Sequence, residues 1–484
     1  MSDAVLIAAK EFVQDEWPRV LADLDTLVRI DSHEDLAHAT SGAPFGPGPR
    51  AALDAATQMM DGYGFAMHDC EGHCGYFDIA GTSDKQLGII GHLDVVPAGD
   101  GWTREPFALT REGDILFGRG VTDDKGPFLM GIHALRFWRD RYAAEGRGFP
   151  VNVRVIFGCS EETGMADADY YLEHYEAPDF LFTPDADFPL CYGEKGQFQV
   201  RVTSPSLAGG VIAAIQGGTA PNGVPSSAEA VVRCSAASLP AADCIVIDDE
   251  WDPALVDGDL CSNYGGLARI RATGVSGHAA MPEGSVNAID ILAAYLLEHN
   301  LCDADERTWL EFVRRITSVT DGSGLGLACE DADFGSLTCV GGMARTEGDR
   351  FSQTIDVRFP TTTNLPDLHA RVQALANEVG ASVEVINEVE PLLVSPDSAE
   401  VGALRDAYEQ VTGLEARLFT MGGGTYAHHF PVGVSFGAMD EGRFPTPEGV
   451  GGMHAADEGV QEECLRQALI IYIVALGNLF ALEW

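Results

Sequence analysis

The sequence predicts an α/β protein of two domains, in which the second, an α+β domain, is inserted into the first. Strand and helix patterns alternate along the first 195 residues, and such alternation is typical of an α/β layer. From Gly196 to about residue 390, strand patterns alternate with short helices, and long helical patterns return only afterwards. We therefore expect one domain with a central mixed sheet from residues 1–195 and 391–484, and an inserted domain from 196–390.

Five segments before residue 195 have clear helix or strand patterns. Helices are predicted over 4–30, 50–62 and 126–145, and strands over 87–96 and 151–159. The first two helical segments have a polar and an apolar face, and Pro127 suits the first turn of the third. The second strand alternates in hydrophobicity, is rich in β-branched side chains and ends in the acidic turn 160–164.

After the insert, helical patterning returns at 397–412, and a glycine-rich segment, a strand around 432–439 and a final helix follow. The apolar run 468–482 is interrupted by Gly477 and Asn478 and falls short of the roughly 20 residues that cross a bilayer. It is predicted to be a buried terminal helix. Because the first residues lack the basic region of a signal peptide, we expect a soluble, cytoplasmic protein.

The charge of the chain excludes several classes of partner. Asp and Glu number 74 against 30 Lys and Arg, which gives a formal net charge of -44. Such a surface repels phosphate backbones and anionic lipids, so we expect no nucleic acid and no membrane among the partners. The 11 cysteines are scattered and odd in number, which does not fit a disulfide scaffold.

The first candidate functional residues lie at the end of the strand predicted over 87–96. His92 and Asp94 are two residues apart, so their side chains share one face of the strand. A histidine that binds a metal usually has a carboxylate that fixes its ring. The same pair also fits a hydrogen-bonded histidine beside a turn, so it identifies no metal site by itself.

Two acidic pairs follow in later loops. Asp123 and Asp124 lie in the glycine-rich loop 118–127, which lacks the spacing of a phosphate-binding P-loop. Glu161 and Glu162 follow the second predicted strand. Because adjacent side chains diverge, one glutamate can bind a metal while the other acts as a general base. Each pair on its own also fits a solvated turn of an acidic protein.

Further acids and a second histidine complete the set. Asp185 and Asp187 follow another apolar segment, and His454 lies in an acidic, glycine-rich loop. All these groups are predicted at strand ends of one α/β sheet, where such sheets bind ligands. Mixed histidine and carboxylate ligands suit zinc, cobalt or manganese, and a bridging carboxylate suits a hydrolytic site with two metals.

Eight motifs, in a fixed order over nearly the whole chain, carry a resemblance to a known family. They are HLDVVP (92–97), GRGVTDDKGP (118–127), SEETG (160–164), FTPDADFP (182–189), GEKG (193–196), GGTAPNGVP (217–225), SGHAAMPEGSVNA (276–288) and GGGTYA (422–427). With these motifs the chain resembles the M20 metallopeptidases, and most of all their bacterial unspecific dipeptidase branch, the PepV-like or Xaa-His (carnosinase-type) dipeptidases. The resemblance implies a catalytic, metal-binding domain and a lid domain formed by the insert.

The resemblance also implies two divalent metal ions per chain, with zinc as the first expectation and manganese or cobalt as alternatives. The implied ligands are His92, Asp123 and Asp185 for one ion, and Asp123, Glu162 and His454 for the other. Asp123 would bridge the two ions, and Asp94 would orient His92. A cis peptide bond is expected between Asp123 and Asp124.

For catalysis, the resemblance implies hydrolysis of the peptide bond of dipeptides by a water held between the two metals. Glu161 would be the general base, and His278 of the lid would stabilise the oxyanion. Arg358 would bind the substrate carboxylate in bidentate fashion. The other residues implied to face the substrate are Asn222, Gly423 and Gly424. The insert of 195 residues is longer than the lid of dimeric members, so a monomer is expected.

Other interpretations compete with this one. An enzyme of the same family could instead be an N-acyl-amino-acid deacylase, a desuccinylase or a carboxypeptidase. Residues 433–437 match the G-x-S-x-G pattern of serine hydrolases, but no helix is predicted after Ser435, which is expected in a strand. The segment HDCEGHC (68–74) is expected to be a hairpin, because ligands so close together cannot surround one zinc ion. A protein that only binds metal or peptide would not need Glu161 as a base.

Overall fold

The computed structural model describes residues 3–249 and 266–484, and the chain divides into two compact units. Unit 1 comprises the described residues up to Gly193, with Leu393–Phe419 and Gly424–Trp484. Unit 2 comprises the described part of Glu194–Leu392, with Thr420–Gly423. The two pieces of sequence that lie outside the described residues are 1–2 and 250–265.

The division expected from the sequence differs from these units by two residues at each boundary of the insert, 194–195 and 391–392, and in the segment Thr420–Gly423, which it assigned to the first domain. The segment belongs to unit 2 because its carbonyl groups bind there. The carbonyl of Met421 accepts the backbone N–H of Lys195 at 2.9 Å, and that of Gly422 accepts a bond from Arg358 at 3.1 Å. Because every residue type carries a backbone carbonyl, the sequence does not indicate hydrogen bonds of this kind.

The α-helices of the described residues are spread over both units. In chain order they are α1 (Asp3–Val28), α2 (Pro47–Gly62), α3 (Lys125–Glu145), α4 (Ala166–His174), α5 (Ala288–Glu298), α6 (Ala304–Thr317), α7 (Leu365–Glu378), α8 (Ala399–Thr412) and α9 (Glu462–Leu479). The helices predicted in unit 1 are present with slightly shifted ends. For example, α2 begins earlier than expected because Pro47 occupies its first turn, where a missing N–H costs nothing.

The strands fall into three runs along the chain. The first run is β1 (His68–Asp69), β2 (Gly75–Ile79), β3 (Gln86–His92), β4 (Thr110–Glu112), β5 (Ile115–Phe117), β6 (Asn152–Gly158), β7 (Phe180–Thr183), β8 (Ala186–Asp187) and β9 (Cys191–Glu194). The second is β10 (Gly196–Thr203), β11 (Ile212–Gly217), β12 (Gly223–Val224), β13 (Ser227–Val232), β14 (Ile245–Asp248), β15 (Ala268–Thr273), β16 (Gly277–His278), β17 (Glu330–Asp331), β18 (Gly335–Ser336), β19 (Thr338–Val340), β20 (Ala344–Glu347), β21 (Arg350–Phe359) and β22 (Ser382–Val389). The third is β23 (Leu392–Leu393), β24 (Phe419–Met421), β25 (Gly433–Ser435), β26 (Ala438–Met439) and β27 (Gly459–Gln461).

The main sheet of unit 1 is mixed, as predicted. Its order is β1-β2-β6-β3-β7-β25-β9-β23, with β24 beside β9. In its centre β6, β3, β7 and β25 run parallel, whereas β2 pairs antiparallel with β6 and β9 with β25. The chain passes from β3 to β6 through α3 and from β6 to β7 through α4, which is the usual crossover between parallel strands.

Helix α9 carries the apolar C-terminal run and lies in the core of unit 1. It packs against α1, α3 and α8, and every residue from Ala468 to Gly477 is buried. The prediction of a buried terminal helix is confirmed, although the helix begins earlier than the apolar run, at Glu462, and ends at Leu479. A search of the described residues finds no helix with the length and apolarity required to cross a membrane.

Unit 2 is built on an antiparallel sheet with the order β14-β15-β13-β11-β20-β21-β10-β22, in which β19 also pairs with β21. Helix α5 packs against β13 and β15, and α7 against β10 and β22. Its core includes Leu292, Trp309, Phe312 and Phe359. The capping box of Asp303 and Glu306 fixes the start of α6. The insert is therefore an α+β unit, and the predicted fold class is confirmed.

Candidate metal centre

Three parallel strands of the unit 1 sheet end in polar side chains. His92 is the last residue of β3, Glu161 and Glu162 follow β6, and Asp185 follows β7. Because β6, β3 and β7 are neighbours and run in one direction, their carboxyl ends lie at the same edge of the sheet. Residues that are distant in sequence therefore meet at this edge.

The ring of His92 is fully buried and held at both nitrogens. Nδ1 donates to the backbone carbonyl of Asp94 over 2.9 Å. Nε2 lies 2.9 Å from Oδ1 of Asp123 and 3.8 Å from Oδ2 of Asp185. Burial alone would lower the pKa of His92, yet its hydrogen bonds with Asp123 and Asp94 raise that pKa well above the ordinary value. Nε2 is thus the nitrogen that faces the carboxylates.

Asp123 lies between two histidines. Its Oδ1 is 2.9 Å from Nε2 of His92, and its Oδ2 is 2.9 Å from Nε2 of His454. Burial opposes ionisation of Asp123, but the hydrogen bonds with His454 and His92 outweigh it and hold the pKa of the carboxyl below its ordinary range. The peptide bond between Asp123 and Asp124 is cis, as the resemblance predicts. Asp123 therefore bridges the two histidines.

His454 reaches the cluster from the loop between β26 and β27. Its Nε2 lies 2.9 Å from Oδ2 of Asp123 and 3.0 Å from Oε2 of Glu162. These two hydrogen bonds raise the pKa of His454 to about 10, although the side chain is half exposed. The loop lies here because β27 pairs antiparallel with β5, the strand that leads towards Asp123.

The side chains form two overlapping groups of possible metal ligands. The groups are His92, Asp123 and Asp185, and Asp123, Glu162 and His454. Within each group the ligand atoms lie within 4.8 Å of one another. One histidine and two carboxylates form a donor set that suits zinc, manganese or cobalt. The structure thus brings together the five residues that the sequence analysis named as ligands.

The charge around these groups also fits bound cations. Oδ1 of Asp94 and Oδ1 of Asp124 are buried and accept no hydrogen bond from the described residues. Burial and the carboxylate of Asp185 raise the pKa of both Glu161 and Asp124 well above the ordinary values. Carboxylates that repel one another in this way are stabilised when a divalent cation shares their site. The residues present therefore fit two divalent metal ions.

Asp94 connects the end of β3 with the turn after β6. Its backbone carbonyl holds the ring of His92, and its Oδ1 lies 3.5 Å from Nδ1 of the same ring. Its Oδ2 accepts the backbone N–H of Glu162 at 3.1 Å. Asp94 thus orients one candidate ligand through the ring and another through the backbone.

Asp167 of α4 fixes the start of the same turn. Its Oδ2 accepts the backbone N–H groups of Cys159 and Ser160 at 2.5 and 3.1 Å, and the hydroxyl of Tyr426 at 2.5 Å. Burial raises the pKa of Asp167 to about 6. The phenol passes so close to β6 that a Cβ at Gly158 would lie 2.0 Å from its oxygen, which explains the glycine there.

Asp124 supports the backbone of His92 from the start of α3. Its Oδ2 accepts the N–H of His92 at 3.2 Å. The approach is close, because a Cβ at Gly91 would lie 2.6 Å from that oxygen and 2.4 Å from the ring of Phe128. Glycine at position 91 is therefore required for this contact.

In unit 2, His278 and Asn222 lie on a two-stranded ribbon. Strands β12 and β16 pair antiparallel with Gly223 opposite His278, and the carbonyl of Asn222 accepts the N–H of Ala279 at 2.8 Å. His278 is exposed, and its Nδ1 accepts the N–H of Ala280 at 3.2 Å. In a neutral imidazole the nitrogen that does not accept such a bond carries the proton, which for His278 would be Nε2.

Arg358 of β21 is almost fully buried in unit 2. Its Nε and Nη2 donate to the two oxygens of Asp356 at 2.7 and 3.1 Å, and its Nη1 donates to the carbonyl of Gly422 at 3.1 Å. A guanidinium has five N–H donors, so two are left for another acceptor. Gly423 follows in unit 2, and Gly424 begins the last segment of unit 1.

Sequence reasoning missed three residues that support the centre: Asp167, Tyr426 and Glu458. Glu458 is fully buried, and its carboxylate binds the loop that carries Asp123. For two of these residues, the position in the sequence could have indicated a role at the centre. Glu458 directly precedes a strand four residues after His454, and Tyr426 lies in the motif GGGTYA.

Two features that the sequence analysis discounted have structural roles. The segment HDCEGHC forms the predicted hairpin of β1 and β2, and Cys70 and Cys74 lie in an apolar cluster. Ser435 lies in β25, as predicted, and is fully buried. Strand β26 follows it rather than a helix, and its Oγ bonds the hydroxyl of Thr425 at 3.0 Å. This geometry does not make Ser435 a nucleophile.

The sequence is similar to those of known proteins. The family model of "Peptidase family M20/M25/M40" matches residues 88–477. A Beta-Ala-Xaa dipeptidase of Lactobacillus delbrueckii subsp. lactis is 31% identical over 484 residues, which cover 97% of this chain and 98% of that relative.

Two solved structures have a similar fold. Human carnosine dipeptidase 1 matches with a TM-score of 0.58 at 14% identity, and the match covers 99% of this chain and 100% of that chain. An M20 family metallo-carboxypeptidase from Sulfolobus solfataricus matches with a TM-score of 0.58 at 15% identity, covering 95% of this chain and 99% of that chain. At such identities the likeness shows the fold alone.

Proposed function

We propose that this chain, which belongs to peptidase family M20/M25/M40, is a metal-dependent dipeptidase. The observation that carries the proposal is the pair of ligand groups that share Asp123, with the carboxylate of Glu161 beside them. Dipeptides are favoured as substrates because a relative with 31% identity over nearly the full length of both chains is a Beta-Ala-Xaa dipeptidase.

Two divalent ions would be held by the ligand groups described above. We propose zinc as the metal, because zinc takes histidine nitrogen and carboxylate oxygen in hydrolytic sites. Manganese and cobalt fit the same donor atoms. When bound, such ions polarise a carbonyl group and lower the pKa of water.

Glu161 is the proposed general base. Glu162 is directed to His454, at 3.0 Å, whereas Glu161 belongs to neither ligand group. Glu161 is then the carboxylate that takes a proton from the attacking water and delivers it to the leaving amine. Asp94 supports this arrangement by holding the ring of His92 and the backbone of Glu162.

Residues of unit 2, together with Gly424 of unit 1, are proposed to bind the substrate. His278 would donate from Nε2 to the oxyanion. Arg358 would bind the substrate carboxylate with the two N–H groups that Asp356 and Gly422 do not use. The other residues proposed to face the substrate are Asn222, Gly423 and Gly424.

The proposed enzyme is a cytoplasmic monomer without nucleic acid or membrane partners. The length of the insert supports the monomer, and the net charge of -44 supports the absence of those partners. Size-exclusion chromatography with light scattering should give a mass near 51.6 kDa. A mass twice as large would show a dimer.

The test is hydrolysis of a substrate panel by metal-stripped protein, with zinc, manganese or cobalt added back. The panel contains ordinary dipeptides, β-Ala-His, tripeptides and N-acyl amino acids. We expect metal-dependent cleavage of dipeptides and none of tripeptides. Cleavage of N-acyl amino acids instead would keep the metal centre but make the protein a deacylase, and release of the C-terminal residue from tripeptides would make it a carboxypeptidase. Cleavage without any metal would refute the proposal.

A further inference from the structure

Two strands that flank loops with candidate metal ligands lie side by side. Strand β5 ends directly before the Asp123 loop (118–124), and β27 begins directly after the His454 loop (451–458). The two strands pair antiparallel over three residue pairs. So short a pairing aligns the strands, but other contacts must fix the loops beyond it.

Glu458 supplies these contacts. Its Oε1 accepts the N–H and the hydroxyl of Thr122 at 2.9 and 2.6 Å, and its Oε2 binds Nη1 of Arg119 at 2.7 Å. The N–H of Gly120 lies 3.1 Å from both oxygens. The backbone carbonyl of Glu458 accepts the N–H of Gly118 at 3.0 Å. Glu458 thus binds four of the seven residues of the Asp123 loop, three of them through its side chain.

The ion pair of Arg119 and Glu458 is shielded from water. The exposed fractions of the two side chains are 1% and 0%. Nη2 of Arg119 also donates to the carbonyl groups of Ala98 and Pro97 at 3.2 and 3.4 Å. Because loss of either charge would leave the other buried and uncompensated, the pair keeps its geometry.

We propose that Glu458 is a positioning residue that joins the Asp123 loop to the His454 loop and thereby sets the affinity for both metal ions. The inference rests on the proposed function, because it concerns the proposed ligands. Asp123 belongs to both ligand groups and His454 to one of them. A less rigidly held Asp123 loop would therefore weaken the binding of both ions, as loss of a group that orients metal ligands generally does.

Asp457 offers a matched control in the same loop. Its Oδ1 accepts the N–H groups of Thr103 and Arg104 at 2.9 and 3.1 Å, and its Oδ2 accepts the hydroxyl of Thr103 at 2.6 Å. It therefore anchors the His454 loop as Glu458 does, but to residues outside the Asp123 loop. A variant of Asp457 separates general anchoring of the loop from the link between the two loops.

The experiment titrates metal-free protein with Mn²⁺ against a competing chelator, without substrate. In Glu458→Gln we expect the affinity for both ions to fall by about 10- to 100-fold, and in Asp457→Asn by less than about threefold. With a dipeptide substrate, the Mn²⁺ concentration that gives half the maximal rate should rise by the same factor in Glu458→Gln. The kcat at saturating Mn²⁺ should return to near the wild-type value, which a general loss of structure would not allow.

Unchanged affinity in Glu458→Gln, or an equal loss in both variants, would overturn the inference. If Glu458→Gln does not fold, Thr122→Val removes one of the hydrogen bonds and should weaken Mn²⁺ binding by about 2- to 10-fold. No change in that variant would also count against the inference. Weakened binding in a protein whose wild type cleaves no dipeptide would refute the dipeptidase and keep the inference. Cleavage of a dipeptide by the wild type, with unchanged Mn²⁺ binding in the variants, would support the dipeptidase and refute the inference.

Discussion

Arg358 and the carboxylates of Asp94 and Asp124 are all buried, but they are compensated differently. In unit 2, Arg358 meets both oxygens of Asp356, and Gln199 donates to the same carboxylate at 2.6 Å. In unit 1, Asp94 and Asp124 each keep a buried oxygen that accepts no hydrogen bond from the described residues.

This difference indicates which buried charges need a partner that the chain itself does not supply. A buried charge without a partner costs stability, so a cluster of uncompensated carboxylates indicates a site that takes up positive charge. A charge that already has its partner, such as Arg358, is instead held in a fixed orientation. We propose that the first region receives cations and that the second presents a donor. The predictions for Asp123, Glu161 and Arg358 test this contrast, and a last one tests a contact that supports the first region.

The largest effect should come from Asp123→Asn. Because Asp123 belongs to both ligand groups, its loss should reduce metal content from two ions per chain to less than one. Hydrolysis should then fall by about 10,000-fold or more, since the charge of the ions supplies several kcal/mol of transition-state stabilisation. Metal content is measured by elemental analysis after dialysis.

The control for this prediction is Asp185→Asn. Asp185 belongs to one ligand group, so this variant should keep one ion. If the two variants bound the same number of ions, Asp123 would not be the shared ligand.

Glu161→Gln should separate catalysis from metal binding. Glu161 is a member of neither ligand group, so the variant should keep both ions. The kcat for dipeptides should fall by about 100- to 10,000-fold, the usual contribution of a general base. Steady-state kinetics at saturating metal measure this loss. The neighbouring variant Glu162→Gln should lose bound metal in addition to activity. An unchanged kcat in Glu161→Gln would exclude Glu161 as the general base.

Arg358→Lys tests the compensated side of the contrast. A lysine can keep the charge but cannot bind Asp356 and a substrate carboxylate at once. We expect kcat/KM for a dipeptide to fall by about 10- to 100-fold, which corresponds to one charge-assisted hydrogen bond, with metal content unchanged.

The matched substrate is the same dipeptide with its carboxylate amidated, and the matched variant is Arg201→Lys, which changes a surface pair with Glu384. Arg358→Lys should affect the amidated substrate far less than the free dipeptide. Equal losses for the two substrates would mean that Arg358 only supports the backbone at Gly422.

Part of this centre could be placed from the sequence pattern because several of its acids and one histidine follow apolar strands, whereas the ligand roles of Asp123 and His454 came from the resemblance to a known family. His92, the pair Glu161–Glu162 and Asp185 each stand where a readable strand ends, and parallel strands bring such ends together. Arg358 was named from the resemblance alone, and its ion pair with Asp356 on the same strand was not predicted.

The supporting residues could not be predicted in this way. Asp167 binds mainly backbone N–H groups and Glu458 binds two of them, and since every residue type except proline carries such a group, no pattern marks these partner positions. In a chain with 74 acidic residues, a buried acid is also hard to distinguish from a solvated one. The assignment of Thr420–Gly423 to unit 2 escaped prediction for the same reason, because backbone bonds determine it.

The smallest predicted effect concerns one of these supporting contacts, the hydrogen bond from Tyr426 to Asp167. The pKa of Asp167 is about 6 in the folded protein, above the ordinary value of 3.8, so ionisation of this buried group lowers stability as the pH rises from about 4 through 6. The Tyr426 hydroxyl opposes that loss, because it donates to the charged carboxylate.

Tyr426→Phe should therefore reduce the free energy of unfolding by about 1 kcal/mol at pH 5 and by about 2 kcal/mol at pH 8, since hydrogen bonds to charged groups are the stronger ones. Urea unfolding at the two pH values measures the difference. In the control, Tyr472→Phe, an equally buried phenol loses a bond to the neutral carbonyl of Phe436, and its cost should be the same at both pH values. An equal cost at both pH values in Tyr426→Phe would mean that Asp167 does not titrate in this range. The support of the glutamate turn would then not depend on the charge of Asp167.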